Sequence, residues 1–257
     1  MLERFKVPKE DEVRVAHDAL NETVSSIFEK MGVSSDDAAL GAEVLVATDL
    51  RGVETHGVSN MLRSYVEGYT QGTLNPRPDM RVVRETPSTA NVDADKGLAV
   101  ILGPKAMQMA IDKARNVGVG VVTMSNAGHS GAIGHHAMLA AKQDMVGMTT
   151  TAGGLLVVPT YGAEPRLGTN PIAIAAPANN EPALLFDAAT SAVAGNKLRL
   201  AERVGADMLP GWITGLDGDP VMDEVKLPDR GQYYQLPLGG TRDQGSHKGY
   251  GFGLMSE

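Results

Sequence analysis

The sequence predicts a mixed α/β protein of the α+β type, a helical N-terminal lobe followed by a mixed-sheet lobe. Three observations carry this. Apolar residues recur at helical spacing up to about residue 78, short apolar runs then alternate with helical stretches, and glycine-rich turns join them. The working division is therefore a lobe of residues 1–78 and a lobe of residues 79–257.

The first helix is expected over residues 10–32, where Val13, Ala16, Leu20, Val24, Ile27 and Met31 share a face and Gly32 supplies a stop. Ser34 or Ser35 can cap a second helix, which runs to about Leu50. Asp36 and Asp37 sit in its first turn, at the end of the helix dipole that favours acids. A third helix, SNMLRSYVEGYTQG, ends near Gly72, and NPRP from Asn75 breaks the pattern. MRVVRE and TANVDAD are short strands by composition. Pro104 opens the next helix, PKAMQMAIDKARNVG, because proline is tolerated in a first turn. The apolar run VGVVTM (119–124) is expected as a buried strand. SNAGHSGAIG leads from it into the helix HHAMLAAKQ. MVGMTTTA, NPIAIAAP and ALLFDAA are further strands, and SAVAGNKLRLAERVG contains a short helix. A Pro/Gly/Asp-rich loop then runs to about residue 238, and the chain stops at GLMSE inside a helical pattern.

Composition bounds the function. Of 257 residues, 42% are hydrophobic and 21% charged, as in an ordinary globular chain. No apolar run approaches the ~18 residues of a membrane span. The charged start, MLERFKVPKEDE, lacks the apolar stretch of a secretory signal, so a cytoplasmic location and no membrane partner are expected. The absence of cysteine excludes disulfides, thiolate catalysis, zinc–thiolate sites and iron–sulfur clusters. A net charge of −8 argues against a nucleic-acid partner, yet local donors can still bind anions on an acidic protein. Glycine is abundant, at 30 residues, which suggests tight turns and close backbone approach.

Five segments could carry chemistry, and each has an ordinary reading beside the functional one. Gly128, Gly131 and Gly134 fall between a strand and a helix, where backbone N–H groups suit a phosphate. Their spacing is neither the Rossmann fingerprint nor a Walker loop, and a tight turn would also use it. His56 lies between Thr55 and Gly57 at a helix–helix junction. Imidazole suits proton transfer near neutrality, although a surface histidine would look the same. Thr169 and Asn170 could orient a small polar ligand or simply form a turn. Asp187, at the end of ALLFD, could orient an imidazole, bind a ribose, or cap a helix near Ser191. Lys248, among glycines after His247, could meet a phosphate or point into solvent. No metal is expected: His129, His135 and His136 are close, but their spacing matches no zinc pattern.

Taken together, DLRGVETHGVSNMLRSYVEG, SNAGHSGAIGHHAMLAA, EPRLGTNPIAIAAP, FDAATSAVAGNKL and LPLGG…HKGYGFGLM resemble the malate/L-lactate dehydrogenase family that does not use a Rossmann fold. The segments occur in the family's order over nearly all of residues 10–257. The resemblance implies hydride transfer between NAD, or alternatively NADP, and a small 2-hydroxy/2-oxo acid of malate or lactate type. It makes residues 1–78 the lobe of the proton-donor histidine and residues 79–257 the cofactor-binding lobe. His56 matches the proton donor, Thr55 the residue that holds its ring, and Asp187 a charge partner or cofactor contact. Thr169 matches a substrate-contacting position. Ser125, Asn126, His129, Gly131, Ala189, Thr190, His247 and Lys248 fall in segments expected to line the cofactor, again with Asp187. An acid near His56 would raise its pKa and suit reduction at neutral pH.

Two departures stand out. Asn60 occupies the position where many members carry the arginine that clamps the substrate carboxylate, leaving Arg63 or Arg51 to substitute. Members of the family also continue beyond the point where this chain stops, so the second lobe is expected to be cut short at its C-terminus. Reduction of a cyclic imino acid is the alternative activity. A shortened member that binds cofactor or a partner without turnover is the non-catalytic alternative. The resemblance also implies a homodimer.

Overall fold

The computed structural model describes residues 3–6 and 8–257 and shows the mixed α/β class. Seven α-helices are described: α1 His17–Lys30, α2 Ser35–Leu50, α3 Val58–Thr70, α4 Ala99–Val117, α5 Gly134–Ala141, α6 Gly195–Val204 and α7 Ser246–Ser256. The strands are β1 Arg81–Glu85, β2 Thr89–Asp93, β3 Val121–Ser125, β4 Gly147–Thr150, β5 Ile172–Ala176, β6 Leu184–Ala188, β7 Ile213–Thr214 and β8 Tyr234–Gln235. They form three small sheets of order β1-β2-β3, β4-β5-β6 and β7-β8.

Backbone packing groups the residues into two compact units, 13–149 with 174–185, and 1–12 with 150–173 and 186–257. This grouping follows packing, whereas the lobes 1–78 and 79–257 follow composition, and the two are drawn differently.

In the unit of residues 13–149 and 174–185, Ser34 caps α2 as expected, its hydroxyl accepting from the Asp37 N–H at 3.3 Å. α2 is buried around most of its circumference. Val44 and Leu45 join Val24 and Phe28 of α1, Met61 and Tyr65 of α3, and Leu98 and Ile101 at the start of α4 in one core. Gly41 keeps this packing close, since a β-carbon there would lie 3.1 Å from both Phe28 and Ile101. β1 pairs antiparallel with β2, and β2 pairs parallel with β3, matching Thr89 to Val121 and Asp93 to Ser125. α4 is the crossover that a parallel pair requires.

Several expectations are corrected here. α1 begins at His17, not near residue 10; Val13 and Val15 are exposed, so nothing apolar holds that end against a core. α4 begins five residues before Pro104. Its first turn buries Val100, Ile101 and Leu102. Burial at roughly 1.5–3 kcal/mol for each such side chain outweighs the ~3 kcal/mol cost of an interior proline. β3 is not buried on both faces: it ends the order of its sheet, and Val121 is 50% exposed.

In the other unit, the segment expected as a loop to residue 238 contains the β7–β8 pair and its own small core. Met208 and Ile213 pack there with Val193 and Leu198, beneath Trp212, Val221, Val225 and Tyr233. Phe5 stacks on Trp212 with ring centroids 6.1 Å apart, which ties the N-terminal turn to this core. α6 is shorter than the segment that suggested it, starting at Gly195.

Candidate active site

The turn between α2 and α3 presents Thr55 and His56, and its shape follows from one carboxylate. Asp49, in the last turn of α2, accepts the Val58 N–H at 2.9 Å and so satisfies a free donor at the start of α3. The carboxylate lies against the backbone of Gly57, where an added β-carbon would fall 1.6 Å from Oδ1. A side chain at position 57 would push the Asp49 carboxylate off the Val58 N–H. Burial pushes the Asp49 carboxyl above its ordinary value, with the Val58 bond opposing that shift. Within the turn, the His56 N–H donates to the Val53 carbonyl at 3.0 Å. Thr55 Oγ1 and His56 Nδ1 are 2.8 Å apart, and Asn60 Nδ2 donates to the Thr55 carbonyl at 2.8 Å. Asn60 thus braces the turn that holds His56.

The glycine-rich stretch after β3 supplies a second imidazole. His129 stacks on His56, with centroids 5.6 Å apart and planes 13° from parallel. Its Nδ1 receives the Gly131 N–H at 3.2 Å and lies 2.8 Å from the hydroxyl of Tyr65 on α3. Burial pushes His56 down to about 4. An acid-raised histidine was expected; loss of hydration wins instead, and the atom beside Nδ1 is a hydroxyl.

Ser125 and Asn126 lie exposed at the end of β3. Asn126 adopts a left-handed backbone, φ 55°, and its amide donates to Asp93 Oδ1 at 3.0 Å. The amide of Gly128 donates to the Gly97 carbonyl and that of Gly131 to His129, so both are engaged within the chain. Arg51, at the C-terminal cap of α2, and Arg63, on α3, are exposed cations. His136 is a core residue, 2% exposed, with Nε2 3.0 Å from the Ser130 carbonyl; burial pushes it also down to about 4.

The remaining predicted residues belong to the unit of residues 150–173 and 186–257. The Thr169 carbonyl accepts from the Thr190 N–H at 2.9 Å and from its hydroxyl at 3.2 Å. Beside it Asn170 is wholly buried. Its amide donates to the Gly253 carbonyl at 3.0 Å and to Glu257 Oε1 at 2.9 Å, and its Oδ1 accepts from the Gly153 N–H at 3.2 Å. Thr190 also donates to the Asn170 carbonyl at 3.0 Å. Asn170 therefore ties the 153 loop and α7 through its side chain and Thr190 through its carbonyl. Asp187 is exposed near the end of β6, and Ala189 is half-buried just beyond it.

His247 and Lys248 are exposed in the first turn of α7, where Arg242 approaches His247 Nδ1 at 3.1 Å. Lys248 at a helix N-terminus suits a phosphate. The exposed hydroxyl and amide of Ser125 and Asn126 suit neutral polar parts of a ligand. Within its own unit, each group suits one part of a dinucleotide. Among the described residues no three His, Asp or Glu side chains are grouped to hold a metal. A shallow groove of about 510 Å³ along α4 and β1, lined by Glu85, Lys105, Gln108 and Lys113, contains none of the predicted residues.

Sequence reasoning missed Asp49, Tyr65 and the buried role of Asn170. Asp49 acts nine residues along the chain, on the Val58 N–H. Tyr65 and Asn170 act on partners 64 and 83 residues away, which no local pattern reports.

The same fold occurs in solved hydroxy-acid dehydrogenases and in a related reductase. Malate dehydrogenase from Pyrococcus horikoshii superposes with a TM-score of 0.87 over 98% of this chain and 68% of that one, and its curated sequence is 42% identical. L-sulfolactate dehydrogenase from Methanocaldococcus jannaschii is 40% identical over 91% of this chain and 65% of its own length. Delta1-piperideine-2-carboxylate reductase from Pseudomonas syringae has a TM-score of 0.85 at 28% identity, covering 96% of this chain and 71% of that one. The fold and these relatives define an oxidoreductase. Residues 15–257 match the malate/L-lactate dehydrogenase family, and the chain belongs to it. It spans about two thirds of the length of the relatives it matches.

Proposed function

We propose that the chain is an NAD-dependent dehydrogenase of a small 2-hydroxy acid of malate or lactate type, with His56 as its proton donor and acceptor. The observation that carries this reading is the His56–His129 stack, held by Thr55, Asn60, Tyr65 and Gly131 in a member of a dehydrogenase family. A bound nicotinamide would supply the acceptor, or in reverse the donor, of a hydride at the hydroxyl-bearing carbon. His56, neutral at pH 7, accepts the hydroxyl proton at a ring nitrogen as the carbonyl forms. In reduction the same atom delivers the proton. A substrate carboxylate close by supplies the negative charge that favours the protonated ring.

Arg63 and Arg51 are the exposed cations from which the carboxylate anchor is drawn, since the Asn60 amide serves Thr55. Thr169 is retained as a substrate contact by resemblance. Ser125, Asn126, His129, Gly131, Asp187, Ala189, Thr190, His247 and Lys248 are assigned to the cofactor in the same way. Lys248 at the α7 N-terminus supports phosphate binding. A homodimer in the cytoplasm completes the reading; no described helix is long and apolar enough to cross a membrane.

Likeness to the piperideine carboxylate reductase favours one alternative, reduction of a cyclic imino acid by the same histidine. Fluorescence titration with NADH and NADPH, followed by panels of 2-oxo acids and cyclic imines, tests both. Tighter NADH binding and turnover of the oxo acids are expected. Turnover of imines alone would replace the first reading with the second, and a folded chain that binds neither nucleotide would reject both.

A further inference from the structure

We propose that Tyr65 is a positioning residue that fixes the single ring proton of His129 on Nε2, so that the stacked pair divides into one fixed donor, His129, and one proton carrier, His56. A backbone N–H can only donate, and that of Gly131 points at His129 Nδ1 at 3.2 Å, so Nδ1 is the unprotonated nitrogen of the ring. The Tyr65 hydroxyl, 2.8 Å from the same atom, must then be the donor as well. It is the shorter of the two contacts and comes from a side chain only 3% exposed in the core of its unit. Burial holds the phenol above its ordinary pKa, so it keeps the proton it donates. The neutral ring therefore carries its proton on the opposite nitrogen.

The near-parallel stack adds the second half. A ring held from Nδ1 by α3 and by its own glycine-rich turn keeps a defined face against His56, whose Nδ1 is in turn beside Thr55. His56 lacks such a backbone donor on Nδ1 among its described contacts, and a hydroxyl can follow either protonation state. His129 is thereby fixed as a donor through Nε2 and His56 is left able to change state. The catalytic consequence rests on the function proposed above: in that chemistry His129 donates to an oxygen of the substrate or cofactor while His56 moves the proton.

The test uses the 257-residue chain with 15N-labelled histidine and long-range 1H–15N correlation spectra near neutral pH, without ligand. Wild type should show His129 protonated at Nε2, with Nδ1 at the shift of a hydrogen-bonded bare nitrogen. Tyr65→Phe should move the Nδ1 resonance toward that of an unbonded nitrogen and admit the other tautomer. Tyr69→Phe, which removes a hydroxyl elsewhere on α3, should leave the His129 signals in place. A wild-type ring protonated at Nδ1, or Tyr65→Phe and wild-type spectra that coincide, would overturn the assignment. In turnover, Tyr65→Phe should lower kcat by up to about tenfold, the scale of one lost hydrogen bond, with little change in nucleotide affinity. An unchanged kcat would overturn the division of roles. The predicted spectra in a chain that reduces no oxo acid would support Tyr65 as the positioning residue and count against the substrate reading alone.

Discussion

At the scale of single residues, burial decides how the histidines behave. His56 and His136 are both pushed down to about 4, so the unfolded chain, with ordinary histidines near 6.5, binds more protons between those values. Stability from these two groups is thus full above about pH 6.5 and is lost as pH falls toward 4. His136 alone accounts for about 3 kcal/mol of that change, at 1.36 kcal/mol per pKa unit. Thermal midpoints measured from pH 7.5 down to 4.5 should fall steadily, and a flat profile would contradict the buried, neutral state of these rings. The second prediction concerns Asp49 and Gly57. Gly57→Ala forces the new methyl onto the carboxylate and should cost about 1–3 kcal/mol in urea unfolding, the usual scale of overpacking. Asp49→Ala removes both the obstacle and the Val58 bond. The double variant should be less destabilised than the sum of the singles by at least about 1 kcal/mol, because the two residues share one contact. Strict additivity would refute the steric account.

At the scale of elements, legibility depended on whether the forces were local. α2 was readable to within a residue because its signals are adjacent: a serine cap, two aspartates in the first turn, and an apolar stretch from Ala38 to Ala47 interrupted only by Glu43. Ser34→Ala should therefore lower stability by about 1 kcal/mol, measured by urea unfolding at pH 7; no change would mean that the cap hydrogen bond contributes nothing. The start of α4 was missed because Pro104 is a strong local signal and the burial of Val100, Ile101 and Leu102 is a tertiary one. Likewise, Val13 matched the helical period of α1 but has no core to pack against. β7 and β8 escaped notice because two-residue strands leave no period to detect; their small core was visible only as scattered Trp212, Val221 and Tyr233.

At the scale of the whole molecule, family membership was legible because five segments in fixed order each carry short-range constraints. The turn TDLRGVETHGV is one case: Asp49 needs Gly57, and both shape the backbone that holds Thr55 and His56. What the sequence did not display is the second tier of contacts, such as Tyr65 on His129 and Asn170 on Gly253, which exist only once distant elements meet. Both tiers bear on the proposed reaction, oxidation of a 2-hydroxy acid in which His56 moves the proton. Its most direct test is NADH consumption with oxaloacetate and other small 2-oxo acids, comparing wild type with His56→Asn, alongside NADH binding by each. The account predicts turnover by wild type, a loss of about 10²–10⁴-fold in kcat for the variant, and equal NADH binding by the two. Equal turnover by His56→Asn would contradict it.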